Sequence, residues 1–284
     1  MADTNNAIYV QSYGKNIMQL AQQKYSKLLN TVYRKPNVTG KTFFQDQIGE
    51  WSMSTKAGRN AATPSSDPNL SRRMATMVDY HDAVLLDRGD SLRSLADPKS
   101  AYSIAAAQSI GRKIDDVIIA AATGTAKSGE TGSTDVTLTN TVVSTNTGLT
   151  FAKVTETKRT FDEADVDMDD RFFIVSPQAL EDLLSVEQAT SADYNAVKAL
   201  VRGEIDTWMG FKWITSTRLN SASSTRDCIA FQRYGICLGM LDMPYIRTSE
   251  RDDLSYSWQI YYEINLGAVR LEEDKVIKVE VIES

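Results

Sequence analysis

The sequence predicts an α+β fold, on three observations. An alanine-rich amphipathic helix runs through "AAAQSIGRKIDDVIIAAATG", Ala105 to Gly124. From Thr150 to Met240, helical and strand patterns alternate, which suggests an α/β subdomain. At the C-terminus, alternating apolar residues return the chain to extended structure. The 284 residues, 42% of them hydrophobic, suffice for one large domain or two modest ones.

Met1 to Val10 shows no pattern. From Lys15 to Tyr33, Ile17, Leu20, Ala21, Tyr25, Leu28 and Val32 recur at helical spacing and predict a helix, which Pro36 and Gly40 end. Phe43–Met53 is an apolar-aromatic run around Ile48 and Trp51. A second run, Met74–Leu86, reads as a strand with Met74, Thr76, Val78 and Tyr80 on one side. Between them lies "STKAGRNAATPSSDPNLSRR", whose only large apolar residue is Leu70. Loops of this length inside compact domains are usually functional or disordered. Lys56, Arg59, Arg72 and Arg73 against Asp67 give residues 56–73 a charge of +3, while the whole chain carries −6. A basic finger on an acidic body suits docking on a neighbouring copy. The plain alternative is a solvated loop.

Asp97 and Pro98 open the long helix as cap and first residue. Ile104, Ala107, Ile110, Ile114, Val117, Ile118 and Ala121 form its apolar stripe, with Arg112, Lys113, Asp115 and Asp116 mostly off it. Gly124 suits a left-handed stop. Thr125–Thr150 reads as a hairpin or long loop, strand-like at "TDVTLTNTVV". Then "TFAKVTETKRTFDEA" is helical, "RFFIVS" a buried strand, and "SPQALEDLLS" a helix capped by Ser176. "SADYNAVKALVRG" is a further helical stretch, and "FKWITSTRL" and "DCIAFQRYGICLGM" read as strands. Trp258, Ile260, Tyr262, Ile264 and Leu266 alternate, as do Ile277, Val279 and Val281, with "EEDK" as the turn between two strands.

Several function classes fail on the residues. "GTAKSGET" has the glycine spacing of a phosphate loop, but Glu130 stands where the lysine must be, and a helix rather than a strand precedes it. "DVDMDD" opens like a calcium loop, yet Asp170 and Ser176 occupy its glycine and glutamate positions. His81 is the only histidine, and there is no "GxSxG" elbow. Cys228 and Cys237 are too few for a disulfide framework or a zinc site and read as buried thiols. Trp208, Phe211 and Trp213 could stack sugars or bases, but their spacing fits a core better. No catalytic, cofactor-binding or metal-ligating residue is assigned and no enzyme activity is expected. No run approaches the roughly 18 apolar residues that span a bilayer, so no membrane association is expected. The start carries no basic region followed by an apolar one, so the chain is expected to fold in a cytoplasm. With 31 basic against 37 acidic residues, it can enclose nucleic acid but lacks the basic excess that grips phosphates.

The order of elements resembles the major capsid protein of tailed double-stranded DNA bacteriophages, the Hong Kong ninety-seven-type capsid fold. "AQSIGRKIDDVIIAAATG" is similar to its spine helix, and "RFFIVSPQALEDLL" to the strand and helix entering its axial domain. "GEIDTWMGFKWITSTRL" is similar to that domain's continuation, and "NLGAVRLEEDKVIKVEV" to its closing strands. The resemblance implies an N-terminal arm over 1–40 and an extended β-hairpin loop over 41–95. It implies a peripheral domain over 96–150, completed by 250–284, and an α/β axial domain over 151–249. An encapsulin-like nanocompartment shell is the alternative within the fold. A carboxylate-based hydrolase or a carbohydrate-binding module is the alternative outside it.

What the resemblance implies is a shell subunit that self-assembles as hexamers and pentamers around double-stranded DNA, without sequence-specific binding. The extended loop would lie across the adjacent subunit, with Trp51, Lys56, Arg59, Arg72 and Arg73 as candidate intersubunit contacts. The expected partners are a separate scaffolding protein, a portal protein and, where one is used, a decoration protein. The expected location is the virion capsid, assembled in the bacterial host cytoplasm. No large N-terminal cleavage is expected, since only residues 1–40 precede the loop. Some family members cross-link a loop lysine covalently. Lys56 lies in the loop, but no asparagine or glutamate partner can be matched to it, so an ordinary ion pair is expected there.

Overall fold

The computed structural model describes residues 22–63, 65–87, 98–143, 146–185, 207–241 and 244–283. The chain forms two compact units. One comprises residues 1–26, 79–112 and 242–264, and the other 27–78, 113–241 and 265–284.

The larger unit is built on a seven-stranded sheet. Its strands are β7 (Thr141–Val142), β8 (Arg171–Val175), β9 (Thr207–Trp208), β10 (Phe211–Thr215), β11 (Ser221–Ala222), β12 (Thr225–Gln232) and β16 (Val276–Ile282). The order is β7-β16-β12-β8-β10-β9, with β11 beside β12. β8 runs parallel to β10 and antiparallel to β12. Every residue of β8 is buried, as expected of an apolar strand flanked by neighbours on both edges. Helices Phe151–Glu163 and Pro177–Ser185 precede and follow β8. Thr150 accepts the Lys153 amide at 3.4 Å and Ser176 that of Ala179 at 3.1 Å, so both starts are capped by hydroxyls, the second as the sequence predicts. Trp208, Phe211 and Trp213 are core residues. Trp213 meets Phe173 edge-on at 4.7 Å, and Phe211 packs on Phe161 and Phe173. Buried rings cannot stack a sugar or a base, so this cluster is core, as its spacing predicts. The stretch "SADYNAVKALVRG" lies outside the described residues.

A second layer of the same unit is a four-stranded sheet in the order β2 (Thr42–Ile48), β3 (Leu70–Thr76), β5 (Ala126–Ser128), β6 (Thr134–Val136). β2 and β3 pair antiparallel from Thr42↔Thr76 to Ile48↔Leu70. The first strand therefore stops at Ile48, short of Met53, and the second begins at Leu70 rather than Met74. The inward face of the second run is also the opposite one. Arg73, Ala75 and Met77 are buried, whereas Thr76 and Val78 are exposed. Alternation fixes that one face is buried, but a buried arginine with partners reverses which face it is. The hairpin root rests on β1 (Tyr33–Lys35), β13 (Ile236–Met240) and the C-terminal half of β15 (Ser257–Arg270). β1 is parallel to β13, and β13 antiparallel to Leu266–Arg270 of β15. Their shared core is Val38, Phe43, Ala75, Met77, Ala126, Cys237, Val269 and Leu271. Gly239 admits the Phe43 ring, since a Cβ there would come within 2.3 Å of Phe43 Cε1.

The long helix, α1 (Pro98–Thr123), is 26 residues and about 39 Å long. It begins at Pro98 as predicted, and Asp97 lies outside the described residues. Its buried positions include Ile110, Ile114, Ile118, Ile119 and Ala122, while Ile104 and Ala107 are exposed. Asp115, placed off the stripe by sequence, is fully buried. Its two carboxylate oxygens accept the amides of Lys27 and Leu28, each at 3.1 Å. That contact explains a correction to the predicted Lys15–Tyr33 helix. Its described part, from Gln22 on, is an irregular segment with one turn closed by Thr31 onto Leu28, followed by β1. Leu28 and Val32 are buried, but Tyr25 is exposed. Amides handed to Asp115 are unavailable for a helical ladder. Gly124 is not left-handed either. Its amide continues the helical bond to Ala120 O at 2.9 Å.

The smaller unit contains most of β4 (Val78–Leu86), β14 (Tyr245–Arg251) and the N-terminal half of β15. β14 lies antiparallel to β15 from Tyr245↔Glu263 to Arg251↔Ser257. The sequence pattern gave no sign of β14, whose side chains are mostly exposed on both faces. The "EEDK" turn joins two strands, as predicted, and those strands lie in different sheets. β15 pairs with β13, and β16 with β12.

Candidate assembly interface

The hairpin ends in a long tip, residues 49–69, exposed over nearly its whole length. At its base the Gly49 amide donates to Asn69 O at 2.7 Å. Within the tip, Trp51 Nε1 donates to Ser66 Oγ at 2.8 Å and fixes the indole's direction. The ring remains 68% exposed, beside Met53 at 98%, Ile48 at 74% and Leu70 at 72%. Lys56 and Arg59 are fully on the surface. Four large apolar side chains and two cations are thus left in water along the tip and the strand ends that carry it, and exposed apolar residues gathered on one projection are of the kind that marks protein–protein contact.

Further down, Arg72 pairs with Asp46 across the strands at 2.5 Å, and its guanidinium lies over the Phe44 ring at 5.3 Å. The hydrogen bond from Arg72 holds the Asp46 carboxyl below its ordinary range. Arg72 is therefore engaged within its own hairpin but still half exposed. Arg73 is different. It is buried, with Nε donating to Leu271 O at 2.9 Å and Nη2 to Glu273 Oε2 at 2.7 Å. As an intersubunit contact Arg73 is corrected by this geometry, because its charge faces the interior of its own subunit.

Glu273 and Arg270 complete this buried cluster, and sequence reasoning missed both. Glu273 looked like one more charge in a polar turn. Arg270 is fully buried and donates to Ala122 O at 3.0 Å, Gly124 O at 2.6 Å and Val136 O at 3.0 Å. A guanidinium against the last carbonyls of α1 satisfies orphaned acceptors and complements the helix dipole. The only hint in sequence was a lone arginine ending a long apolar alternation.

The other singled-out residues are placed by ordinary surface and ion-pair contacts. His81 is exposed on β4, its ring 6.2 Å from that of Tyr261. Asp170 pairs with Lys212 at 2.7 Å and Arg233 at 3.5 Å, and the Lys212 hydrogen bond lowers its carboxyl from the ordinary value. "GTAKSGET" forms β5 and its turn. Among the described residues, no group of three or more His, Cys, Asp or Glu side chains is arranged to hold a metal ion. No helix among them is long and apolar enough to cross a membrane.

No curated protein matches the chain by sequence. Solved structures do match its fold. The capsid of Ralstonia phage GP4 aligns over 100% of this chain and 98% of that chain, with a TM-score of 0.75 at 8% identity. The capsid of cyanophage P-SCSP1u aligns over 98% and 94%, with a TM-score of 0.73 at 15% identity. Mycobacterium phage Che8 aligns over 96% and 97%, with a TM-score of 0.72 at 13% identity. At such identities the likeness shows the fold, which is of the Hong Kong ninety-seven type. A sequence profile described as "Phage capsid protein" matches residues 5–283, nearly the whole chain. Family and fold together favour a phage shell over a nanocompartment: the chain belongs to the phage capsid protein family and is a major capsid protein that forms the phage shell.

Proposed function

We propose that the β2–β3 hairpin is the arm with which each shell subunit holds its neighbour. Trp51 and Met53 supply its apolar contact, and Lys56, Arg59 and the exposed side of Arg72 its charge. The supporting observation is the tip itself. Its large apolar residues stand in water although the hairpin root is firmly buried. One exposed ion pair contributes at most about 1 kcal/mol. Repetition over hexamers and pentamers makes such contacts cooperative. The acidic balance of the chain suits an inner wall that encloses double-stranded DNA without gripping it. Assembly proceeds in the bacterial cytoplasm on a separate scaffolding protein, with a portal at one vertex and, where one is used, a decoration protein outside.

Negative-stain microscopy and sedimentation of the chain co-expressed with its scaffolding protein test this. The wild type should give closed particles. Trp51→Ala with Met53→Asp, and separately Lys56→Glu with Arg59→Glu, should give soluble, folded subunits that form none. Closed particles from both variants would remove the hairpin from the contact.

A further inference from the structure

We propose that Glu273 is a positioning residue that locks the direction of the hairpin to the end of helix α1. This builds on the reading of the hairpin as an intersubunit arm. Glu273 Oε2 accepts from Arg73 at the hairpin root at 2.7 Å. Glu273 Oε1 accepts from Arg270 Nε at 3.4 Å. Arg270 in turn holds Ala122 O and Gly124 O at the helix end and Val136 O on β6. One carboxylate thus joins the root of the arm to the terminus of the longest rigid element.

The charge balance makes this junction a lock rather than ordinary packing. Two guanidiniums share one carboxylate, and the side chains of Arg73, Glu273 and Arg270 are 9%, 20% and 0% exposed. Water screens little here, so without the carboxylate two like charges face each other in a nearly dry site. Arg270 has three carbonyls to hold it in place. Among the described residues, Arg73 has only Leu271 O besides Glu273, and its buried Nη1 has no hydrogen-bond partner. The weaker-held partner is the one on the hairpin. Loss of Glu273 therefore releases the arm and leaves the helix end capped. An assembly step that disturbs the helix end would be felt at the tip by the same route.

The test places spin labels at Ser54→Cys in the tip and Ser221→Cys on β11 of the full chain. Cys228 and Cys237 are buried, with thiols pushed up to about 12 and about 11 by desolvation, so the introduced sites label selectively. Unsubstituted at Glu273, the labelled chain should give one narrow distance distribution. Glu273→Gln keeps the shape and removes the charge. It should broaden that distribution and speed amide exchange of β3 and β5 at least tenfold, with exchange of β8 unchanged. Glu272→Gln makes the same charge change in the same turn, on a side chain paired outward with Lys275 at 3.0 Å, and should change neither reading. If Glu273→Gln does not fold, Glu273→Asp replaces it, because its shorter stem keeps the charge but cannot span both guanidiniums. A narrow distribution and unaltered exchange in the variant that folds would overturn the lock, as would equal broadening by Glu272→Gln. Shell yield separates the two readings. A broadened tip with undiminished shells leaves the lock standing and removes the hairpin as intersubunit arm, whereas lost shells with a narrow tip overturn the lock.

Discussion

The seven-stranded sheet and the hairpin are both made of short strands in one compact unit, but they use their side chains in opposite ways. β8 lies between β10 and β12 and buries all five of its residues within its own subunit. β2 and β3 bury one face only near the root. Toward the tip, Ile48↔Leu70, a directly opposed apolar pair, stands almost wholly in water. A subunit that folds alone needs the first arrangement, and the second becomes favourable only when another surface covers it. On the proposed reading of the hairpin, the comparison places stability and assembly in different strands of this chain, so they can be perturbed separately.

Four measurements would break or sharpen that separation. The largest effect belongs to Phe173→Ala. The ring is fully buried against Trp213 and Phe211, and its removal should cost about 3–5 kcal/mol in denaturant titrations. Next is Gly239→Ala, where the new Cβ meets the Phe43 ring at the hairpin root. It should cost about 1–3 kcal/mol, with faster amide exchange in β2 and β3 and unchanged exchange in β8. Comparable exchange changes in both sheets would mean that hairpin and sheet unfold as one unit.

A smaller effect comes from the thiols. Burial raises Cys228 to about 12 and Cys237 to about 11, against an ordinary value of 9.0. The unfolded chain therefore loses these protons first, and their contribution to stability is complete below pH 9.0. It is lost as pH rises through the folded values. Alkaline melts of Cys228→Ala should show a shallower decline above pH 9 than wild type, and native protein at pH 8 should resist thiol-specific reagents. The smallest stability effect is expected for Lys56→Glu with Arg59→Glu, within about 0.5 kcal/mol of wild type, although the same pair should abolish shells. A large stability loss in that variant would show that the tip serves its own fold.

Local patterns in the sequence were enough for the rod from Pro98, the cap at Ser176, the buried "RFFIVS" strand and the aromatic core around Trp213, because each depends on periodicity or a side chain reaching its own backbone. The basic tip was legible from composition alone. Arg73 was not, and neither were Glu273 and Arg270. A charged residue reads as exposed until a partner far along the chain is brought to it, and Arg73 and Glu273 are 200 residues apart. Asp115 misled in the same way. Its carboxylate is held by amides from Lys27 and Leu28, and those amides are why the segment before β1 is not helical.

The sequence by itself determined that this chain has an α+β fold, a long helix and an exposed basic projection. Those features follow from spacing, capping chemistry and the absence of large apolar residues over residues 54–69. Only the tertiary structure decided which face of β3 turns inward, that β15 and β16 part into different sheets, and that one carboxylate joins the arm to the rod. The physical reason is common to all three. Burial of a strand face or a charge depends on groups brought together from distant positions, and no local window of the chain contains them.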